Sequence, residues 1–142
     1  MAYFAFGSNL YKEQLRTRIG RWQASQRAIA ANFRLTFDSR GKANIRKQAG
    51  SKVYGVVHLV SEAQMRKLDG FEGVTLGIYR RFITKVMMDS REIDAITYIR
   101  TADTPYRAPD QSYLDLILQG LAEHGYPESV ISEVRAIAQG QS

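Results

Sequence analysis

The sequence predicts an α+β domain: a small mixed or antiparallel β-sheet, able to close into a barrel, with flanking helices. Three observations carry this. Apolar residues alternate in some segments and recur at helical spacing in others, in the order strand, helix, several strands, helix, strands, helices. That is not the regular βαβα order of a doubly wound parallel sheet. The 142 residues suit a single domain, 1–142, able to bury a core without staples. The composition is ordinary for a globular chain, with 44% hydrophobic and 24% charged residues.

The elements follow in order. Ala2–Phe6 is a short, nearly all-apolar run and reads as a buried strand. After Gly7-Ser8-Asn9 the spacing of Leu10, Leu15 and Ile19 predicts a helix, ended by Gly20. Ala28–Phe37 reads as a strand, with Phe33, Leu35 and Phe37 alternating against Arg34 and Thr36. A loop with Gly41 leads to a short extended piece at Ala43–Ile45, and the β-branched run Val53–Val60 reads as a separate, central strand. Ser61 and Gln64 form a capping-box pattern that starts a helix running to about Phe71, with Gly73 as its stop. Ile78–Met88 and Ile93–Arg100 are alternating strands around a turn. A loop with two prolines precedes a helix carrying Tyr113, Leu114, Ile117, Leu118 and Leu121. Val130, Val134 and Ile137 mark a last one.

Charge and residue usage narrow the function. The net charge is +6, but residues 1–52 carry +9 and residues 53–142 carry −3. A basic first third suits an anionic ligand or simply a solvated face. No stretch reads as a basic helix or an RNA-binding strand, so nucleic acid is disfavoured as a partner. There is no cysteine, which excludes a disulfide scaffold, a thiolate metal site and a Cys nucleophile. His58 and His124 are the only histidines and share no ligand spacing, so no metal is expected; they read as a strand-face and a helix-end histidine. No apolar run is of signal or membrane-spanning length, and a soluble cytoplasmic protein is expected.

Two places could carry chemistry. "FGSNL" is neither a nucleophile elbow nor a Walker or dinucleotide loop. It is either a turn in which Ser8 or Asn9 caps the next helix, or a segment whose glycine and bare amides come close to a ligand. Glu72, in "LDGFEGV", is either an exposed helix-end residue or a carboxylate in an apolar setting, with its pKa raised into the range of a general acid/base. Asp69, three residues earlier, could pair with it on one face. Tyr3, Tyr79, Tyr98 and Tyr113 are core residues or the lining of a polar pocket.

The segments "YFAFGSNL", "GKANI", "VYGVVHLV", "LDGFEGV", "GIYRRFITKV", "TYI" and "HGYP", spread from Ala2 to about Ala138, resemble the gamma-glutamylcyclotransferase family in order and spacing. The resemblance implies a small β-barrel with flanking helices and a pocket at the first strand-to-helix loop. It also implies a small-molecule gamma-glutamyl substrate cyclised to 5-oxoproline, with no metal and no organic cofactor. By the same resemblance Glu72 is the catalytic residue. Tyr3, Phe4, Ala5, Phe6, Gly7, Ser8, Asn9 and Leu10 cradle the substrate, and Tyr79, Tyr98 and Tyr113 complete the pocket. Phe6 departs from the family loop, which often has tyrosine there. Arg40, Lys42, Arg46 and Lys47 are expected near the pocket mouth, where they would favour a leaving group with a carboxylate. A homodimer is compatible with these expectations. The rival classes are a non-catalytic binding member of the same fold, against which the presence of Glu72 tells, and a basic nucleic-acid-binding module.

Overall fold

Alternation along the first strand already divides the core in two. In the computed structural model, which describes residues 1–140, β1 (Ala2–Ala5) sends successive side chains to opposite faces. Phe4, with Phe6 just beyond the strand, joins one apolar cluster that includes Val53, Val57, Ile117 and Leu121. Tyr3 and Ala5 join a second, with Leu15, Met65, Leu68, Tyr79 and Tyr98. The remaining elements are α1 (Lys12–Ile19), β2 (Ala24–Phe37), β3 (Ala43–Leu59), α2 (Glu62–Phe71), β4 (Tyr79–Met88), β5 (Arg91–Arg100), α3 (Gln111–Glu123) and α4 (Glu128–Ala138).

The five strands close into a barrel in the order β1-β3-β2-β4-β5. All neighbours are antiparallel except β1 and β5, which meet in parallel at Tyr3 and Ile96 and complete the ring. The α+β barrel with flanking helices is therefore the architecture. Residues of α1 and α2 pack in the second cluster, and residues of α3 and α4 in the first. None of the described helices is long and apolar enough to cross a membrane.

Three boundaries differ from the sequence expectation. The extended piece at Ala43–Ile45 and the strand from Val53 are one strand, β3, and its partner β2 starts at Ala24 rather than Ala28. The polar run between the two pieces of β3 shows no alternation, but β2 pairs on both sides of it, from Ala24↔Leu59 to Ala31↔Lys52 and from Phe33↔Lys47 to Phe37↔Ala43. Between these stretches residues 48–51 of β3 bulge out opposite the single residue Asn32, whose φ is 64° and whose side chain accepts the Gly50 amide at 3.0 Å. The first helix is also broken. Ser8–Leu10 form a 3-10 turn, Tyr11 is extended, and the α-helix begins at Lys12. Neither Ser8 nor Asn9 caps it. The Ser61–Gln64 capping box is formed as expected, in both directions.

Candidate active site

A cavity of about 510 Å³ opens where the end of β1, the 3-10 turn, the β2–β3 turn, the end of α2 and the start of α3 converge. Such a volume suits a small metabolite. Tyr3, Phe4, Phe6, Gly7, Ser8, Asn9, Glu72, Tyr79, Tyr98 and Tyr113 line it. Ala5 and Leu10 do not. Ala5 packs in the second core cluster, and the fully buried Leu10 packs in the first.

Gly7 brings the backbone into close approach with its neighbours. A Cβ there would lie 3.2 Å from both the Tyr113 hydroxyl and the Ala43 Cβ. The next three residues form the turn, in which the Leu10 and Tyr11 amides donate to the Gly7 and Ser8 carbonyls at 3.0 and 3.1 Å. The Asn9 side chain is spent inside the protein. Its Nδ2 donates to the Tyr3 hydroxyl at 3.0 Å, and its Oδ1 accepts from Arg18 at 3.3 Å.

Glu72 follows α2 directly, its amide still donating to the Leu68 carbonyl. It is half-buried, and it lines the cavity. Burial raises its carboxyl to a pKa of about 7; Arg18 and Arg40 pull it down and Asp38 pushes it up. No side-chain hydrogen bond engages it among the described residues. Asp69 is not its partner. Two bonds of 2.9 and 2.8 Å from Arg81 and one of 2.6 Å from the Tyr98 hydroxyl hold Asp69. Burial works against that carboxylate, but these donors keep its pKa below the ordinary value.

The four tyrosines divide into two pairs. Tyr79 donates to the buried Asp38 carboxylate at 2.9 Å, and Tyr98 donates to Asp69. Their hydroxyl protons are committed. Tyr3 and Tyr113 instead accept, from Asn9 Nδ2 and from the Ala43 amide at 3.0 Å each, and their own protons meet no acceptor among the described residues. Burial raises both hydroxyls, Tyr113 to about 12, and the Glu72 charge adds to it. Both therefore stay protonated and able to donate into the cavity beside Glu72.

Of the four expected basic residues, Arg40 and Lys42 line the cavity. Arg46 is drawn away to Asp103 at 2.7 Å and the Ala102 carbonyl at 3.0 Å, and Lys47 is not part of the lining. Lys42 Nζ sits 4.2 Å from the Tyr113 ring centre. Sequence reasoning missed Gln14, Arg18, Phe71 and Asp110, which also line it. Gln14 and Arg18 are one helical turn apart just after the loop, a spacing that puts both on one face. Arg18 stacks on Phe71 at 4.8 Å. Among the described residues no group of three or more His, Cys, Asp or Glu is arranged to hold a metal ion.

A wall of tight backbone, a carboxyl poised near neutrality and two free phenol donors suit proton transfer on a small polar substrate. Comparison with known proteins agrees with the family read from the motifs. Residues 52–134 match the AIG2-like family. The human protein named gamma-glutamylcyclotransferase is 31% identical over 146 residues, covering 95% of this chain and 77% of the relative. The chain belongs to the gamma-glutamylcyclotransferase family. The mouse protein of the same name is 30% identical with the same coverage. A solved structure named gamma-glutamyl cyclotransferase superposes with a TM-score of 0.87 at 27% identity, covering 96% of this chain and 87% of the other. The cyclotransferase fold thus extends over nearly the whole chain.

Proposed function

We propose that this cyclotransferase-family enzyme releases 5-oxoproline and a free amine or amino acid from a gamma-glutamyl substrate, with Glu72 as the proton carrier. The observation that carries this is a half-buried carboxyl with a pKa of about 7 beside the Gly7–Asn9 wall. The names of the human and mouse relatives support the same reading.

The substrate supplies its own nucleophile. Its α-amine attacks the γ-carbonyl carbon, the carbonyl becomes an oxyanion, the ring C–N bond forms and the bond to the leaving nitrogen breaks. The α-ammonium sheds two protons on becoming the lactam N–H. The leaving nitrogen gains two on becoming an ammonium. One carboxyl relaying between the two nitrogens balances the reaction, and a pKa near the working pH suits both directions. The cavity walls hold the flexible chain folded, which makes the attack intramolecular. Tyr3 and Tyr113 donate to the substrate's oxygens, together with backbone amides of Gly7, Ser8 and Asn9. Arg40 and Lys42 favour a leaving group that carries a carboxylate.

The test is a panel of gamma-glutamyl amides, with anionic and neutral leaving amines, read out as 5-oxoproline. Glu72→Gln should lose about 100- to 10,000-fold in turnover while keeping its circular-dichroism spectrum. A variant near the wild-type rate removes Glu72 from the mechanism. A silent panel with the wild type removes the reaction.

A further inference from the structure

The two histidines are in direct contact with the loop that walls the cavity. His58, fully buried on β3, places Nε2 3.0 Å from the Asn9 carbonyl oxygen and Nδ1 2.7 Å from Ser25 Oγ. Ser25 Oγ in turn receives the Trp22 indole N–H at 2.7 Å. The indole only donates and the carbonyl only accepts. A neutral imidazole has one N–H, so that hydrogen sits on Nε2 and Ser25 donates to Nδ1. Donation therefore runs in one direction, Trp22 to Ser25 to His58 to Asn9. Burial keeps the ring neutral, lowering its pKa to about 4. His124, just past the end of α3, places its own Nε2 3.0 Å from the Leu10 carbonyl. The two rings meet edge to face, with centroids 5.9 Å apart.

The acceptors are successive carbonyls, and the peptide groups that carry them are the rungs of the 3-10 turn. The peptide with the Asn9 carbonyl donates its Leu10 N–H to Gly7, and the peptide with the Leu10 carbonyl donates its Tyr11 N–H to Ser8. Each imidazole thus fastens the outer end of one rung. A single 3-10 turn is weakly held by its own bonds. Bonds in series polarise and strengthen one another.

We propose that His58 and His124 are positioning residues of the active cavity: by donating to the Asn9 and Leu10 carbonyls they fix the Gly7–Asn9 wall against which the substrate is folded. This rests on the cyclotransferase reading. Neither imidazole lines the cavity, so neither is a catalytic residue.

His124 is the better place to test this, because it lies just past the end of α3 rather than inside the barrel wall, and its side chain is only 6% exposed. His124→Leu should raise KM and lower kcat/KM about tenfold, the scale of a slightly misplaced substrate. Its thermal midpoint should stay within a few degrees of wild type. Hydrogen exchange at the Tyr11 amide should accelerate. His124→Gln, whose side-chain N–H reaches a similar position, should recover most of both effects. His58→Gln and His58→Phe should behave in the same way at the Leu10 amide. A Leu variant within twofold of wild type in kcat/KM, unchanged Tyr11 exchange, or a Gln variant no better than Leu would each overturn the proposal. A wild type that releases no 5-oxoproline overturns the cyclotransferase reading instead, and the exchange rates then decide whether the histidines hold the turn.

Discussion

Glu72 is set by opposing influences that a pH profile can separate. Burial lifts its carboxyl from an ordinary 4.5 to about 7, while the nearby Arg18 guanidinium pulls it down. The base must be ionised to accept the α-ammonium proton. The acid limb of kcat/KM should therefore fall about tenfold per pH unit below a midpoint near 7. Removing the cation removes a stabiliser of the charged form, so Arg18→Met should move that midpoint upward. Arg18 also holds Asn9, so the maximum rate will fall as well; the position of the limb is the informative quantity. A limb that stays in place, or moves down, would show that the titrating group is not Glu72 under the influence of Arg18.

The last turn of α3 acts as a clamp on the junction between the 3-10 turn and α1. Glu123 Oε1 accepts the Lys12 amide at 2.6 Å, His124 donates to the Leu10 carbonyl, and Gly120 lies against the same residues. A Cβ on Gly120 would come within 2.6 Å of Leu10 Cβ and 2.7 Å of the Leu10 carbonyl carbon and the Tyr11 nitrogen. Backbone cannot yield there cheaply. Gly120→Ala should cost about 1–3 kcal/mol and should raise KM by displacing the turn. Gly70→Ala, on α2 with nothing within 4 Å of the added carbon, is the control. It should be neutral or slightly stabilising in thermal melts; equal behaviour of the two variants would refute the clamp. The sequence made the β1 strand and the α2 cap legible because both are local patterns. Glu72 was legible as a candidate because it lies in one short motif, although its burial was not. The Tyr11 break was not legible, since α3, more than 100 residues away, helps hold it. The unity of β3 was hidden because its polar middle carries a bulge, and only pairing with one shared partner, β2, joins the stretches on either side. The His58 chain was invisible because Ser25 stands 33 residues off.

At the scale of the whole barrel, one buried carboxylate joins the β2–β3 turn to the start of β4 and the end of β5. Asp38, with no exposed side chain, accepts the Arg40 and Lys42 amides at 2.8 and 3.0 Å, the Tyr79 hydroxyl at 2.9 Å, the Arg100 guanidinium at 2.6 Å and the Arg40 guanidinium at 3.3 Å. The same contacts set the Arg40–Lys42 turn and Tyr79, all of which line the cavity, so the closure of the barrel and the shape of the site share a support. Burial alone would raise the Asp38 pKa, but the donors around it outweigh that effect and hold the carboxyl below its ordinary 3.8. A depressed folded-state pKa contributes stability that is complete above the unfolded value and is lost as pH falls through the folded one. Asp38→Asn keeps the shape but leaves the Arg100 guanidinium, with a side chain only 15% exposed, without its counter-charge. At neutral pH that should cost about 3–5 kcal/mol, as for other broken buried pairs. Below pH 4 the wild type itself begins to lose the ionised pair, so the gap between the two proteins should narrow steadily toward pH 2. Denaturant midpoints taken from pH 7 down to pH 2 measure that gap. A gap of constant size would mean that Asp38 supports the barrel through its shape and neutral hydrogen bonds rather than through its charge.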